Sequence, residues 1–242
     1  MMKTAVVMGA SSGMGLEIAR ILLAKGWRVG VAARRAEPLR ELCSQWPECA
    51  HAAIIDIDSD SAQEQLLGLF DELGGAIDLY VHTAGIGKTN MELEPRTELA
   101  TVETNGLGFT RMVTAAFNHM ATHGGGHIAA ITSIAGTKGL GAAPAYSATK
   151  AFQNCYLQAL EQQSVMRRLG ITFTDVRPGF VDTALLGGDH YPMLMDCKVT
   201  AAGIVNAILA HRHVCVIDWR WRLLTALWRR VPRWLWRRLP VH

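Results

Sequence analysis

Apolar residues follow two alternating rhythms along this chain. Short, nearly continuous runs rich in β-branched residues occur at Thr4–Met8, Arg28–Ala33, Ala52–Ile57, Leu79–His82, His127–Thr132, Ile171–Val176 and His213–Ile217. Between them, apolar positions recur at helical spacing over Leu16–Leu23, Ala62–Leu73, Leu99–Met120, Ala148–Met166 and Ala201–Leu209. Continuous runs predict strands buried on both faces, and the 3.6-residue rhythm predicts amphipathic helices. Strand and helix alternating through brief links predict right-handed βαβ crossovers around a parallel sheet, an α/β doubly wound fold. No Pro/Ser-rich linker, repeat or low-complexity segment interrupts residues 1–218, which read as one domain.

Composition suits a single sizeable core: 242 residues, 50% hydrophobic and 19% charged. The five cysteines (Cys43, Cys49, Cys155, Cys197, Cys215) are odd in number and lack CxxC spacing. That argues against a disulfide framework and for a reducing compartment. The first strand-like run has no signal-peptide pattern ahead of it, and no apolar stretch reaches the length of a membrane-spanning helix, so the expectation is a cytoplasmic protein. The net charge of +3 conceals an asymmetry. Seven arginines and no acid follow Asp218, so the body carries a formal charge of −4 and residues 219–242 form a separate, basic, tryptophan-rich tail.

The first strand ends in Gly9-Ala10-Ser11-Ser12-Gly13-Met14-Gly15 and runs into a helix at Leu16. Glycines permit a sharp turn and close approach of backbone to a pyrophosphate, and a helix N-terminus favours negative charge. No Lys-Ser/Thr pair follows, which argues against a nucleoside-triphosphatase loop. At the end of the second strand, enzymes that use NAD place an acid for the ribose 2′-hydroxyl, and those that use NADP place cations. This chain has Ala33-Arg34-Arg35, two guanidiniums suited to a 2′-phosphate, or simply a solvated strand end. Asp56, closing the third strand beside Ile57, could accept from an adenine amino group or cap a helix near Ser59–Ser61.

Tyr146 and Lys150 stand at i, i+4 near the start of a helical segment and so share a face. An ammonium beside a phenol moves the tyrosine pKa toward the working range of an acid or base. Alone, such a pair could be an ordinary surface contact. The fifth strand, however, ends in Thr132-Ser133, a hydroxyl at the carboxyl edge where open α/β sheets bind ligands.

With these residues the sequence resembles the short-chain dehydrogenase/reductase family in its shorter, single-domain form. The resemblance spans residues 3–217 through the GASSGMG turn, Asp56, Ala84-Gly85, Asn105, Ser133, Tyr146, Lys150 and Arg177-Pro178-Gly179. It implies a Rossmann fold with a seven-stranded parallel sheet in the order 3-2-1-4-5-6-7, and NADP(H) as cofactor. Tyr146 would exchange the proton with a carbonyl or alcohol oxygen, Ser133 would hydrogen-bond that oxygen, and Lys150 would lower the tyrosine pKa and hold the nicotinamide ribose. Asn105 would hold a water linking Lys150 to solvent. Cofactor contacts would come from Gly9, Ser11, Ser12, Gly13, Met14 and Gly15, then Arg34 and Arg35, Asp56 and Ile57, and Thr83, Ala84 and Gly85. Tyr146 and Lys150 complete them with Pro178, Gly179, Val181 and Thr183. Two positions depart from the pattern: Met8 stands where the family begins its turn with Thr, and His82-Thr83 where it commonly has Asn-Asn.

The expected activity is hydride transfer between NADPH and an apolar carbonyl or alcohol substrate. The rivals are a non-catalytic NADP(H)-binding regulator or scaffold, and a membrane-peripheral reductase of a lipid-like ketone. A homo-oligomer, dimer or tetramer, is expected; a nucleic-acid partner is not, because the acidic body offers no continuing basic surface. Segment Ala184–Val199, with Leu185, Leu186, Tyr191, Met193, Leu194, Met195 and a Gly187-Gly188 hinge, would cover the substrate. His119, His123 and His127 have ligand-like spacing, but Gly124–Gly126 should end their helix first, and no metal is expected. In the tail, Trp221, Leu224, Trp228, Val231, Leu235 and Leu239 share a face, Arg222, Arg229 and Arg233 lie to one side, and Pro232 should split the helix. That face suits a membrane interface, or it packs on the body or on a partner subunit.

Overall fold

All seven strand-like runs form strands in the computed structural model, which describes residues 2–186 and 191–239. They are β1 (Thr4–Met8), β2 (Arg28–Ala33), β3 (Ala50–Ile54), β4 (Leu79–His82), β5 (Gly126–Ile131), β6 (Ile171–Pro178) and β7 (Val214–Ile217). The sheet order is 3-2-1-4-5-6-7, and every pairing is parallel. Successive side chains of a strand point to opposite faces, so β1 feeds two cores. Val6 and Met8 join Phe70, Phe109 and Phe117 on one side, while Ala5 and Val7 join Ile18, Leu22 and Ile204 on the other.

Helices α1 (Gly13–Ala24) and α2 (Ala36–Gln45) cover the second face, joined there by the later Cys197–Leu209 helix. The first face takes α3 (Ala62–Glu72), α5 (Phe109–Thr122) and α6 (Pro144–Arg167), with α4 (Pro95–Val102) leaning on α6. Helix α7 is the Cys197–Leu209 segment; α8 (Trp219–Arg230) and α9 (Arg233–Trp236) follow β7, divided at Pro232 as expected.

Three expectations need adjustment. The 99–120 segment is not one α-helix, because a π-helical turn, Glu103–Gly108, separates α4 from α5. Helix α2 was not anticipated; only Leu39 and Leu42 of it are buried, too few to mark a rhythm. Strand β3 begins two residues before the expected start and ends at Ile54, because its partner β2 ends at Ala33. Asp56 therefore lies beyond the strand, and its carboxylate accepts from the Asp58 amide (3.3 Å) rather than capping α3, whose N-cap is Ser61. As the Gly124–Gly126 break predicts, His127 sits on β5, off the α5 face where His119 and His123 stack at 3.9 Å. Among the described residues, no three His, Cys, Asp or Glu side chains converge as a metal site.

For the tail, where a membrane interface and packing on the body were both open, one face of α8 packs on the body. Trp221 is 2% exposed and packs with Ile134, Val181 and Met195, and Leu224 and Trp228 lie half-buried against the same cluster. The face picked out by the helical wheel is the one α8 turns toward the body. No helix among the described residues is long and apolar enough to cross a membrane.

Candidate active site

The strand order reverses between β1 and β4, and a cleft of about 510 Å³ opens there at the carboxyl edge of the sheet. Its floor is the turn after β1. Gly9 and Gly13 have φ of +97° and +54°, values that disfavour a side chain. A Cβ on Gly15 would collide with the Gly9 carbonyl and the Thr83 hydroxyl, so the turn closes only around a bare backbone. Ser12, the extended N-cap of α1, makes no side-chain capping bond, and the first turn of α1 carries no acid. The helix thus presents its positive end to the cleft without a resident carboxylate.

Thr83 accounts for the departure after β4. Its amide and its hydroxyl both donate to the Met8 carbonyl, each at 2.8 Å, tying the end of β4 to the end of β1. His82 is buried against Phe109 and bonds the Tyr80 hydroxyl at 3.0 Å; burial first, then the Lys150 charge, lowers its pKa to about 3, so it stays neutral.

At the far side, Arg34 and Arg35 are exposed and both line the cleft, with Asp56 and Ile57 next to them. Arg35 donates to the Ser11 hydroxyl (3.2 Å) and carbonyl (3.3 Å), which aims its guanidinium across the turn. Ser11, Met14, Ala84, Gly85 and Thr183 line the same cleft. Thr183 reaches it because the segment after β6 folds back: Val181 pairs with Met195, and the Thr183 methyl lies against Gly13. Pro178, Gly179 and Val181 stand behind that segment, outside the cleft wall itself. The Gly187-Gly188 hinge lies outside the described residues.

Ser133, Tyr146, Lys150 and Asn105 lie outside the cleft wall, beyond its Gly85–Ile86 edge, where a Cβ on Gly85 would come within 3.1 Å of Asn105 Oδ1 and 3.8 Å of Lys150 Nζ. Ser133 is the N-cap of the short turn Ile134–Thr137 and accepts from the Ala135 amide at 3.0 Å. Tyr146 lies in the first turn of α6, whose N-terminus is capped from outside: the Glu98 carboxylate accepts from the Ala145 amide at 3.0 Å. Burial raises the Tyr146 pKa, and a hydrogen bond from Ser133 pulls it down. Lys150 is fully enclosed; burial lowers its pKa to about 8, and Asp175 opposes the drop. Asp175 is itself buried, held by Thr132 and by two bonds from Arg177.

The ammonium of Lys150 is not bonded to the tyrosine hydroxyl. It donates to the Ile131 carbonyl and to Gln153 Oε1, each at 3.0 Å. Gln153 in turn donates through Nε2 to the Asn105 carbonyl at 2.8 Å. The Asn105 side chain is also engaged, exchanging hydrogen bonds with the Ile86 amide (2.9 Å) and carbonyl (2.7 Å). The π-helical turn displaces the helical ladder and turns the Asn105 carbonyl toward Gln153. Lys150 and Asn105 are therefore joined through the Gln153 side-chain amide. Gln153, Asp175 and Glu98 were not among the sequence-derived candidates; Asp175 and Glu98 act across at least 25 residues of chain, whereas Gln153 follows Lys150 by one helical turn, a local spacing that could have marked it.

The family model described as short chain dehydrogenase matches residues 3–190. The chain belongs to the short-chain dehydrogenase family. Among its relatives, an uncharacterised oxidoreductase of Myxococcus xanthus is 33% identical over 201 residues, 79% of this chain and 77% of its own. A Streptomyces coelicolor protein named for ketoacyl reduction is 36% identical over 209 residues, 83% of this chain and 79% of its own. The short-chain dehydrogenase of Burkholderia cenocepacia, solved in complex with NADP, shares the fold at a TM-score of 0.85 and 21% identity, covering 100% of this chain and 98% of that one. As a short-chain dehydrogenase, this protein is an oxidoreductase by family, with its candidate groups at the sheet's carboxyl edge.

Proposed function

We propose that the protein is an NADPH-dependent reductase of an apolar carbonyl compound, working through Ser133, Tyr146 and Lys150. The observation that supports this reading is that Lys150 lies 5.7 Å over the Tyr146 ring and close behind Gly85, an edge of the same cleft that two exposed arginines line. The cleft fits a dinucleotide phosphate. Bare glycines and an uncapped helix N-terminus suit its pyrophosphate; Arg34 and Arg35, with no acid beside them in the chain, suit a 2′-phosphate. Asp56 and Ile57 would flank the adenine, Thr83, Ala84 and Gly85 the middle of the molecule, and Lys150 the second ribose. Pro178, Gly179, Val181 and Thr183 would border the carboxamide. Once bound, the cofactor supplies the hydride.

The protein supplies the proton. A Tyr146 phenol pushed up by burial stays protonated at neutral pH and is set to donate to a carbonyl oxygen, which favours reduction. Ser133 would hold that oxygen in line, and the Lys150 ammonium would stabilise the phenolate left behind. A regulator that only senses NADP(H) would need the arginines and the turn but not the Ser133, Tyr146, Lys150 and Asn105 set, so the set supports an enzyme. The exposed Phe152, Val165 and Met166 of α6 support pairing between copies, and five free cysteines fit a reducing, cytoplasmic setting.

Tyr146→Phe tests the reading. Turnover of a ketone panel, followed by NADPH absorbance, should fall by roughly 10²–10⁴-fold while NADPH affinity is kept. Substantial activity in that variant would mean that another group moves the proton.

A further inference from the structure

Helix α8 carries two apolar faces, and packing on the body uses one. Trp221 and Thr225 are buried, with Leu224 and Trp228 half-buried beside them. On the opposite side Trp219, Leu223 and Leu227 recur at four-residue spacing and are 63%, 57% and 62% exposed. Trp234 of α9 is 59% exposed as well. A helix whose task ended with covering the body would present polar residues outward. Here the outward apolar stripe is bordered by exposed Arg222, Arg229 and Arg230, with Arg233, Arg237 and Arg238 exposed in and after α9. Asp218, the last acidic residue in the sequence, is occupied by Arg220 at 2.8 Å. Six exposed arginines around an apolar stripe, with no carboxylate among them, call for an anionic partner that also accepts hydrophobic side chains.

We propose that the outer face of α8 and α9 docks on an anionic phospholipid bilayer, with Trp219, Leu223 and Leu227 entering the headgroup region. An interfacial helix needs this combination of aromatic, aliphatic and cationic residues, and tryptophan settles at that depth. Each arginine near a negatively charged leaflet raises binding about five-fold, so several together outweigh the modest apolar area. The docking face is rigidly joined to the body. Lys138 donates to the Val231 carbonyl at 2.7 Å, and Trp236 Nε1 donates to the Gly139 carbonyl at 2.8 Å. Both anchors sit in the loop between Ser133 and Tyr146. The lipid surface would therefore lie beside the substrate side of the cleft, an orientation that matters only if the reductase reading holds.

The test is co-sedimentation of the full chain with vesicles of phosphatidylcholine alone or mixed with phosphatidylglycerol. Removing the tail would take Trp221 from the core, so the informative variant is Leu223→Gln with Leu227→Gln, two outward positions whose replacement should leave the melting temperature unchanged. The wild type should bind the mixed vesicles, bind phosphatidylcholine alone poorly, and release as salt rises; the double variant should bind at least about ten-fold less tightly. Equal binding of the variant and the wild type overturns the proposal, as does wild-type indifference to anionic vesicles. Should the double variant instead split an oligomer in light scattering, with no vesicle binding in either protein, the face belongs to a second copy. None of these outcomes depends on turnover, so failure here and failure of the reductase reading can be told apart.

Discussion

Replacing Gln153 by Met isolates what the amide contributes to the acid–base groups, because the chain length is kept and both hydrogen bonds are lost. Gln153 Oε1 accepts from the Lys150 ammonium at 3.0 Å inside a site from which solvent is excluded. A hydrogen bond to a charged group contributes about 1.5–3 kcal/mol. At 1.36 kcal/mol per pKa unit, its loss should lower the Lys150 pKa by about 1–2 units. The starting value is about 8, already depressed by burial. The sign follows from which form is stabilised. The amide oxygen favours the ammonium, so without it the proton leaves at lower pH and the ribose-holding, phenolate-stabilising form is lost sooner. Reduction needs both Lys150 and Tyr146 protonated, and the lower of the two pKa values sets the alkaline limb. The pH dependence of kcat/KM, which reports the free enzyme, should show that limb moving down by about 1–2 units in Gln153→Met. The variant should also lose about 1–3 kcal/mol of stability, since the Asn105 carbonyl is left without its donor. A destabilised variant whose alkaline limb stays where the wild type's lies would refute the wiring and leave Gln153 a packing residue.

Two further outcomes follow from the geometry. Arg34→Asp should erase or reverse a preference for NADPH over NADH in fluorescence titration, with a loss of at least about ten-fold for NADPH from the missing charge-assisted bonds; equal affinity for both cofactors in the wild type would sink the assignment of the arginines. Trp221→Ala should cost about 3–5 kcal/mol in urea unfolding, as for other buried large aromatics, and a cost below about 1 kcal/mol would mean that α8 is not part of the folding unit.

Legibility in the sequence tracked the range over which each feature is specified. The strands were visible because a doubly covered strand is apolar at every position, as Val6, Val7 and Met8 are. Tyr146 and Lys150 were visible because one helical turn relates them. Gln153 was missed although it stands one turn after Lys150; its second partner, Asn105, is 48 residues away and faces it because a π-helical turn interrupts what reads as one helix. The tail was left open for a different reason. Its wheel contains Trp221, Leu224 and Trp228 on one side and Trp219, Leu223 and Leu227 on another, and periodicity finds apolar faces without saying which one meets the body. Asp56 was found as a residue but misplaced as an element, because strand ends are set by where the partner strand stops.

Gly179 has no side chain, and a Cβ there would run into the indole of Trp221. The loop that would border the nicotinamide is thus shaped by a residue translated after all seven strands. During synthesis, the sheet and the glycine turn can form while that wall of the cleft still lacks its backing. A nascent chain would complete the glycine turn first and the wall formed by Gly179 and Trp221 only once α8 has left the ribosome.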